Sequence, residues 1–392
     1  MNDNPIVNPA VSLRSRKRYD FSALKIGVEC SRKELGIFGL LLFVCLLTGI
    51  KNPAFLGADN IQNLARLVGI YGIIGIGAGI VIITGGIDLS VGSIFALEGV
   101  LLAMALNDPK IISGLTQFHL DPVVTIVLGV IAIISCLGVI HGLLITRVPL
   151  QPFIVTLCGL MIYRALARYI SGDSTEGFGD GTGYLGLMHL ATGSFTLPTI
   201  VIFGSTLHPF AGMLHMHGTP TPNVQIAFGS IPNPFIIMVV IAVMMWFVVH
   251  RSVYGRYLFA VGRNEEAARY SGINSNRIIA SAYVVAAFLA AIAGILLAFY
   301  TNSISPSSQG QNCELYAIAA AVVGGCSLRG GEGSVVGVLI GTTLLQVLQN
   351  LVNLLGIPSS LNFAVVGAVI LIGVTVDEIV KKRSAKKAVA KG

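Results

Sequence analysis

Apolar runs, each near the ~20 residues needed to cross a bilayer, recur along this chain from Leu35 to Val376, and they constrain its fold more than any single motif. Charged residues make up only 11% of the 392 positions. A soluble domain coats itself with about 25% charged residues, so a cytosolic enzyme, a collagen and a disordered chain are all excluded. The runs lie near 35–50, 67–84, 90–106, 122–146, 152–170, 235–249, 278–300, 315–327, 334–355 and 361–376. They predict an all-α integral membrane protein of about ten transmembrane helices.

The placement of Lys and Arg orients these spans, because cytoplasmic loops retain basic residues. Residues 1–34 carry seven, the 250–277 loop carries five (Arg251, Arg256, Arg263, Arg269 and Arg277), and the tail after Val376 carries six. Arg147 and Arg329 fall on the same side. The outer loops hold only Lys51, Arg66 and Lys110, and the long 171–234 segment has no basic residue. Both termini are therefore expected in the cytoplasm. The net charge of +7 marks membrane topology and not nucleic-acid binding. The expected organisation is a basic cytoplasmic segment at 1–34, a transmembrane domain at 35–376 and a basic cytoplasmic tail at 377–392. Within the domain, 171–234 lies outside and 250–277 inside. The first span follows more than thirty largely polar residues and is read as a retained anchor, not a signal peptide. Residues 20–34 read either as a short helix on the inner face, with Asp20 as N-cap, or as a solvated tail.

Two stretches look alike. Ile82 to Glu98 and Ala321 to Ile340 each place Gly-Gly ahead of Gly-Ser between apolar segments. Two halves of five spans would be opposite in orientation, which is the inverted-repeat plan of many transporters. Glycine breaks at membrane depth are tolerated where the backbone is buried in protein or lines a cavity. Small residues also share single helix faces: Gly75 with Gly79; Gly333, Gly337 and Gly341; Ala286, Ala290, Gly294 and Ala298. Such ridges let helices pack closely.

The 250–277 loop is patterned. In Gly262-RNEEAARYSG-Ile273, Asn264 is a good N-cap, Glu265 and Glu266 suit the positive end of a helix, and Gly272 can end it in a left-handed conformation. A helix of two turns is too short to be stable alone and must be held by packing. Ala267, Ala268 and Ser271 would offer a small-residue surface to a partner.

Glu266-Ala-Ala-x-x-x-Gly272 resembles the EAA-type coupling motif of ATP-binding-cassette (ABC) importer permeases. YGRYLFAVGRNEEAARYSGIN, ITGGIDLSVGS, LQPFIVTL and ELYAIAAAVVGGCSLRGGEGSVVGVLIG resemble segments of ribose-type sugar permeases, and the likeness extends over roughly residues 36–378. The resemblance implies an inner-membrane subunit that pairs with an identical or different second permease. It also implies separate cytoplasmic ABC ATPases that hold ATP-Mg, and an extracytoplasmic binding protein that delivers sugar. On that likeness Glu265, Glu266, Ala267, Ala268 and Gly272 form the site of coupling to the ATPase. Two departures stand out: Tyr316 replaces an expected Asp, and there is extra material around 195–222. No Gly-Lys dipeptide occurs, so the chain cannot build a P-loop of its own. No cofactor and no enzymatic activity are expected in it.

The polar residues at membrane depth are candidates for lining or gating a path: Asp88, Ser90, Glu98, Arg164, Gln346 and Asn350. Asp88 or Ser90 would cap the third span. Glu98 should be neutral, paired or facing a cavity, with Arg164 as its candidate partner. Gln346, Gln349, Asn350 and Asn353 would either line the path, hydrogen-bonding sugar hydroxyls, or bridge helices. His189, His208, His215 and His217 lack acidic or sulfur ligands at a metal-binding spacing and read as a surface loop touching the binding protein. The six cysteines suggest neither a disulfide framework nor a metal site. An ion-coupled secondary transporter is the alternative, although it would ordinarily carry more intramembrane acids.

Overall fold

A computed structural model of the chain describes residues 22–178, 184–196 and 230–358, together with single positions between 361 and 371. Every expected run up to 334–355 contains a helix, although that at 315–327 stops at Val323. Seven of the described helices are long and apolar enough to cross a membrane, and a bent pair can be counted as an eighth. The tenth run lies largely outside the described residues, as do residues 1–21, 197–229 and the tail.

Helix α1 (Ser22–Lys51) is continuous, so residues 22–34 run without a break into the apolar span Glu34–Lys51. Asn52 caps the short turn Pro53–Leu56 by accepting from Ala54 N–H, and α2 (Ala58–Ile83) follows. Helix α3 (Val91–Asn107) ends where Asp108 caps α4 (Pro109–Gln117), and the two are bent by 69°. Asp121 caps α5 (Pro122–Thr146), and α6 (Pro152–Ile170) completes the first half. Beyond it, β1 (Glu176–Gly177) pairs antiparallel with β4 (Ser303–Ile304). Helix α7 (Leu185–Thr192) leads into β2 (Ser194–Thr196), which pairs antiparallel with β3 (Ser230–Pro232) and so closes the base of the long 197–229 segment. Helix α8 (Asn233–Trp246) ends in a π-helical turn at Phe247–Arg251. Two short helices follow, α9 (Val253–Arg263) and α10 (Glu265–Tyr270), and then the long α11 (Ser275–Thr301). The chain then forms α12 (Cys313–Val323) and α13 (Val335–Leu354).

The core is α2 packed on α11. What places α2 there is its row of glycines, since in lipid no hydrophobic drive holds helices together and close approach must supply the contact. A Cβ at Gly69 would meet the α8 backbone at Pro234, one at Gly75 would meet Thr342 and Val338 of α13, and one at Gly77 would meet Ala286 of α11. Three neighbours thus seat on three glycine faces of one helix. The apolar side chains of α2 from Val68 to Ile83 are buried between them.

The packing exchanges the two halves. Helices α3 and α5 lie on α11, while α12 and α13 lie on α2. For these helices this is the exchange that inverted repeats predict, and it relates α3 to α12, although α1 packs on α13 while α8 packs on α2. The return before α3 therefore corresponds to residues 302–312, not to the glycine-rich 324–334 turn that the sequence pattern pairs it with. Both glycine-rich stretches are chain reversals at the same end of the bundle, and there they touch: Gly331 N–H donates to Ile83 O at 2.8 Å.

Candidate functional site

At the arginine-rich end, α10 is a helix of six residues held from all sides. Asn264 accepts from Ala267 N–H at 2.9 Å, Glu265 and Glu266 occupy the first turn, and Gly272 ends the helix at φ +82°. Arg269 bridges to Glu265 at 2.5 Å and to Asn276 Oδ1 at 3.0 Å, tying α10 to α11. Ala268 faces inward: it is buried in the main apolar core. The expectation that Ala268 offers itself to a partner is therefore corrected, because its methyl is what anchors so short a helix. The outward face consists of Glu265, Glu266, Ala267 and Tyr270, with Tyr270 91% exposed.

Helix α10 borders a cleft of about 390 Å³ whose walls include Glu265, Arg269 and Asn276, the Thr84–Gly86 turn, and the Pro149–Pro152 connection. The α9 end also abuts both glycine turns, since a Cβ on Gly262 would collide with Ile83 O and Gly331 N. One surface helix thus sits against the two places where the membrane helices break.

Deeper in the bundle, the return before α3 is wrapped in polar groups. Asp88 does not cap the helix. Its Oδ1 accepts from Ser90 N–H at 2.9 Å and from Ser90 Oγ at 2.6 Å. Ser90 stands at the N-cap position but in helical conformation, and its side chain makes no capping bond. The hydroxyl is committed to Asp88, so neither expected cap forms. Thr156 Oγ1 and Tyr283 OH donate to Ile87 O at 3.3 and 3.5 Å, and buried His141 Nε2 shares a 2.8 Å hydrogen bond with Tyr163 OH. The sequence reading passed over these four residues, because one hydroxyl or imidazole on an apolar run carries no pattern.

Glu98 and Arg164 are not paired. Glu98 is fully buried, with neither carboxyl oxygen hydrogen-bonded among the described residues. It lies against α11 where Gly294 leaves room, and a Cβ there would collide with Oε2. Arg164 instead donates to Gln309 O at 2.6 Å, Gly92 O at 3.1 Å and Pro306 O at 3.2 Å. Backbone carbonyls satisfy its guanidinium, so it has no need of Glu98.

The amides of α13 divide. Asn350 and Asn60 of α2 bond reciprocally, at 2.7 and 3.1 Å, which settles helix bridging for Asn350 in this conformation. Gln346 is buried and borders a void of about 10 Å³ between Tyr71, Tyr316 and Thr342, space for about one water and too little for a sugar. Beyond the end of α6, Arg168 grips Asp173 at 2.8 and 2.5 Å and holds its carboxyl below the usual carboxylate range. Among the described residues, no three His, Cys, Asp or Glu side chains are placed to hold a metal. His208, His215 and His217 lie outside them.

Membrane-length helices broken by buried polar returns, with a capped helix standing at one end, define a polytopic membrane transport subunit. The chain belongs to the family of branched-chain amino acid transport system / permease components, whose model matches residues 60–374. It is similar to the ribose import permease protein RbsC of Bacillus subtilis (strain 168), at 39% identity over 354 residues, covering 90% of this chain and 94% of that one. RbsC of Escherichia coli (strain K12) is 30% identical, with 88% of this chain and 93% of the relative covered. The xylose transport system permease protein XylH of Haemophilus influenzae is 31% identical, with coverages of 88% and 96%. No solved structure matches the chain. Family and helices together make this a multi-pass protein of the bacterial inner membrane.

Proposed function

We propose that this chain is the transmembrane permease subunit of an ABC importer that moves a sugar, most simply a pentose, into the cytoplasm. The observation that carries the reading is the 39% identity to a ribose import permease over nine-tenths of the chain. The family description speaks of branched-chain amino acids, but the individual relatives reported above are named for ribose import and xylose transport. On this reading the termini and residues 250–277 are cytoplasmic, 171–234 faces outward, and the 35–376 domain contains the path. The α10 face formed by Glu265, Glu266, Ala267 and Tyr270 docks into a separate ATPase that holds ATP-Mg, and Ala268 and Gly272 shape that helix. A second permease copy or a homologue completes the pathway, and an extracytoplasmic binding protein delivers the solute. Asp88, Ser90 and Arg164 lie at the helix returns that alternate access.

The test is affinity purification from native membranes in mild detergent, comparing wild type with Ala267→Arg and Ala268→Arg. A P-loop ATPase should accompany wild type. Ala267→Arg should lose it while the chain stays folded and abundant, because the new side chain meets only the partner. Ala268→Arg should expose the 262–274 loop to protease, because it displaces a buried methyl. Uptake of labelled ribose and leucine in the same cells then assigns the solute. Wild type that carries no ATPase even after cross-linking would sink the reading and leave ion-coupled transport to be tested.

A further inference from the structure

We infer that residues 305–312 form the gate of this permease, and that Arg164 is the positioning residue that latches it against α3. The inference rests on the transport reading above.

Helices α3 and α12 take equivalent places in the packing, α3 on α11 and α12 on α2, and their N-terminal ends meet inside the bundle. The second helical residue of α3 is Gly92 and that of α12 is Glu314. These positions touch: a Cβ on Gly92 would run into the Glu314 carboxylate and Gly310 O, and a Cβ on Gly310 would lie 2.5 Å from Gly92 O. Two equivalent positions on a two-fold axis can make contact if one is small and the other large. The gap between the two half-helices is filled in this way by the segment leading into α12.

That segment is not held by regular structure. It leaves β4 at Ile304 and reaches α12 through Gly310 and Asn312, both in the left-handed region at φ +66° and +63°. Internal bonds are short-range turns, such as Gln309 N–H to Ser305 O at 2.8 Å. Ile304 is anchored, fully buried against Gly99 of α3. Beyond that anchor the grip is Arg164, whose guanidinium ties Pro306 O and Gln309 O to Gly92 O and so links α6, the segment and α3 through one side chain. Gln309 is buried, yet its Nε2 has no partner among the described residues. A buried amide left unsatisfied favours withdrawal of the segment, and the three charge-assisted bonds of Arg164 oppose it. Opening is then release of these bonds, with the segment swinging out between the Ile304 anchor and the left-handed Gly310 and Asn312. Movement of the helix ends closes the path again.

Cys313, the first residue of α12, reports the opening because it is 2% exposed, and Cys326, 3% exposed in the turn beyond the far end of that helix, is the control. Chains that retain only Cys313 or only Cys326 are purified with whatever subunits accompany them, reconstituted and treated with N-ethylmaleimide. Arg164→Gln should speed modification of Cys313 by about tenfold or more, since charged hydrogen bonds are lost from a local opening equilibrium, and should leave Cys326 protected. Arg164→Lys should fall between the two. Gly92→Ala, which pushes directly against Gly310 and Glu314, should expose Cys313 in the same way and serves if Arg164→Gln does not accumulate. Vesicles holding the opened variants should also leak labelled ribose faster than wild-type vesicles. Unchanged Cys313 reactivity overturns the latch, equal exposure of both cysteines shows general loosening and also overturns it, and exposure without leak overturns the gate. If the wild-type chain co-purifies with no ATPase while Cys313 still responds, the importer reading fails and the latch stands.

Discussion

Replacing Gly69 by Ala tests the claim that glycine faces, not hydrophobic burial, seat the helices around α2. The added methyl would lie 2.5 Å from the carbonyl carbon of Pro234 and 2.6 Å from both Pro234 O and Phe235 N. Carbon contacts are comfortable at about 3.5–4.0 Å, so α8 must retreat by roughly 1 Å. All three obstacles are backbone atoms, and no rotamer change relieves them. Overpacking of this kind costs about 1–3 kcal/mol, and a rigid neighbour places it toward the upper end. Gly129 on α5 is the control, because nothing lies within 4 Å of a Cβ there. Ala at that site should gain up to about 1 kcal/mol of helix propensity. The two single-methyl additions should therefore separate by about 2–4 kcal/mol. Heating detergent-solubilised protein in steps and reading the monodisperse fraction by size-exclusion fluorescence would rank them, with half-loss temperatures falling for Gly69→Ala and holding or rising for Gly129→Ala. Equal shifts for both variants would refute the reasoning, since it would mean that α8 does not need the gap.

Asn350→Leu leaves the Asn60 carbonyl oxygen unsatisfied and should lower thermal stability by about 1–3 kcal/mol. The double variant with Asn60→Leu should cost less than the sum of the singles, and transport per folded molecule should be unchanged; additive losses would refute the pairing. Asp173 has a depressed folded pKa, so its contribution is present above the unfolded value of about 3.9 and is lost as pH falls through the folded one. Both partners are about half exposed, so that contribution is small and screened. The Asp173 contribution should therefore be constant between about pH 8 and 5, and Asp173→Asn should leave the pH dependence of stability in that window unchanged; a decline there abolished by the variant would contradict it.

What the sequence revealed depended on whether the information was local. The spans, the Asn264 cap and the Gly272 stop follow from side chains acting on their own neighbourhood, and among the described residues the cap, the stop and the first nine runs are found about where the pattern predicts. Arg164 was assigned the wrong partner because its acceptors are three backbone carbonyls, two of them more than 140 residues away in a loop of unremarkable sequence. Backbone oxygens carry no residue signature, whereas Glu98 was a visible countercharge. Ala268 was turned the wrong way because six residues are too few for a helical face to emerge, and only α9 and α11 determine which side is inward. The similarity of the two glycine-rich stretches was real but marked chain reversal, and helix packing identified the true counterpart at 302–312.

The bond from Gly331 to Ile83 also bears on how the chain can be made. The donor is synthesised roughly 250 residues after the acceptor, a delay of about 10–50 s at ordinary translation rates. Throughout that interval the first-half turn at Thr84–Gly86 lacks its docking surface. Insertion and completion are consequently separate events in this protein, and the nascent N-terminal half depends on the insertion machinery, or on its own retention there, until the second half arrives.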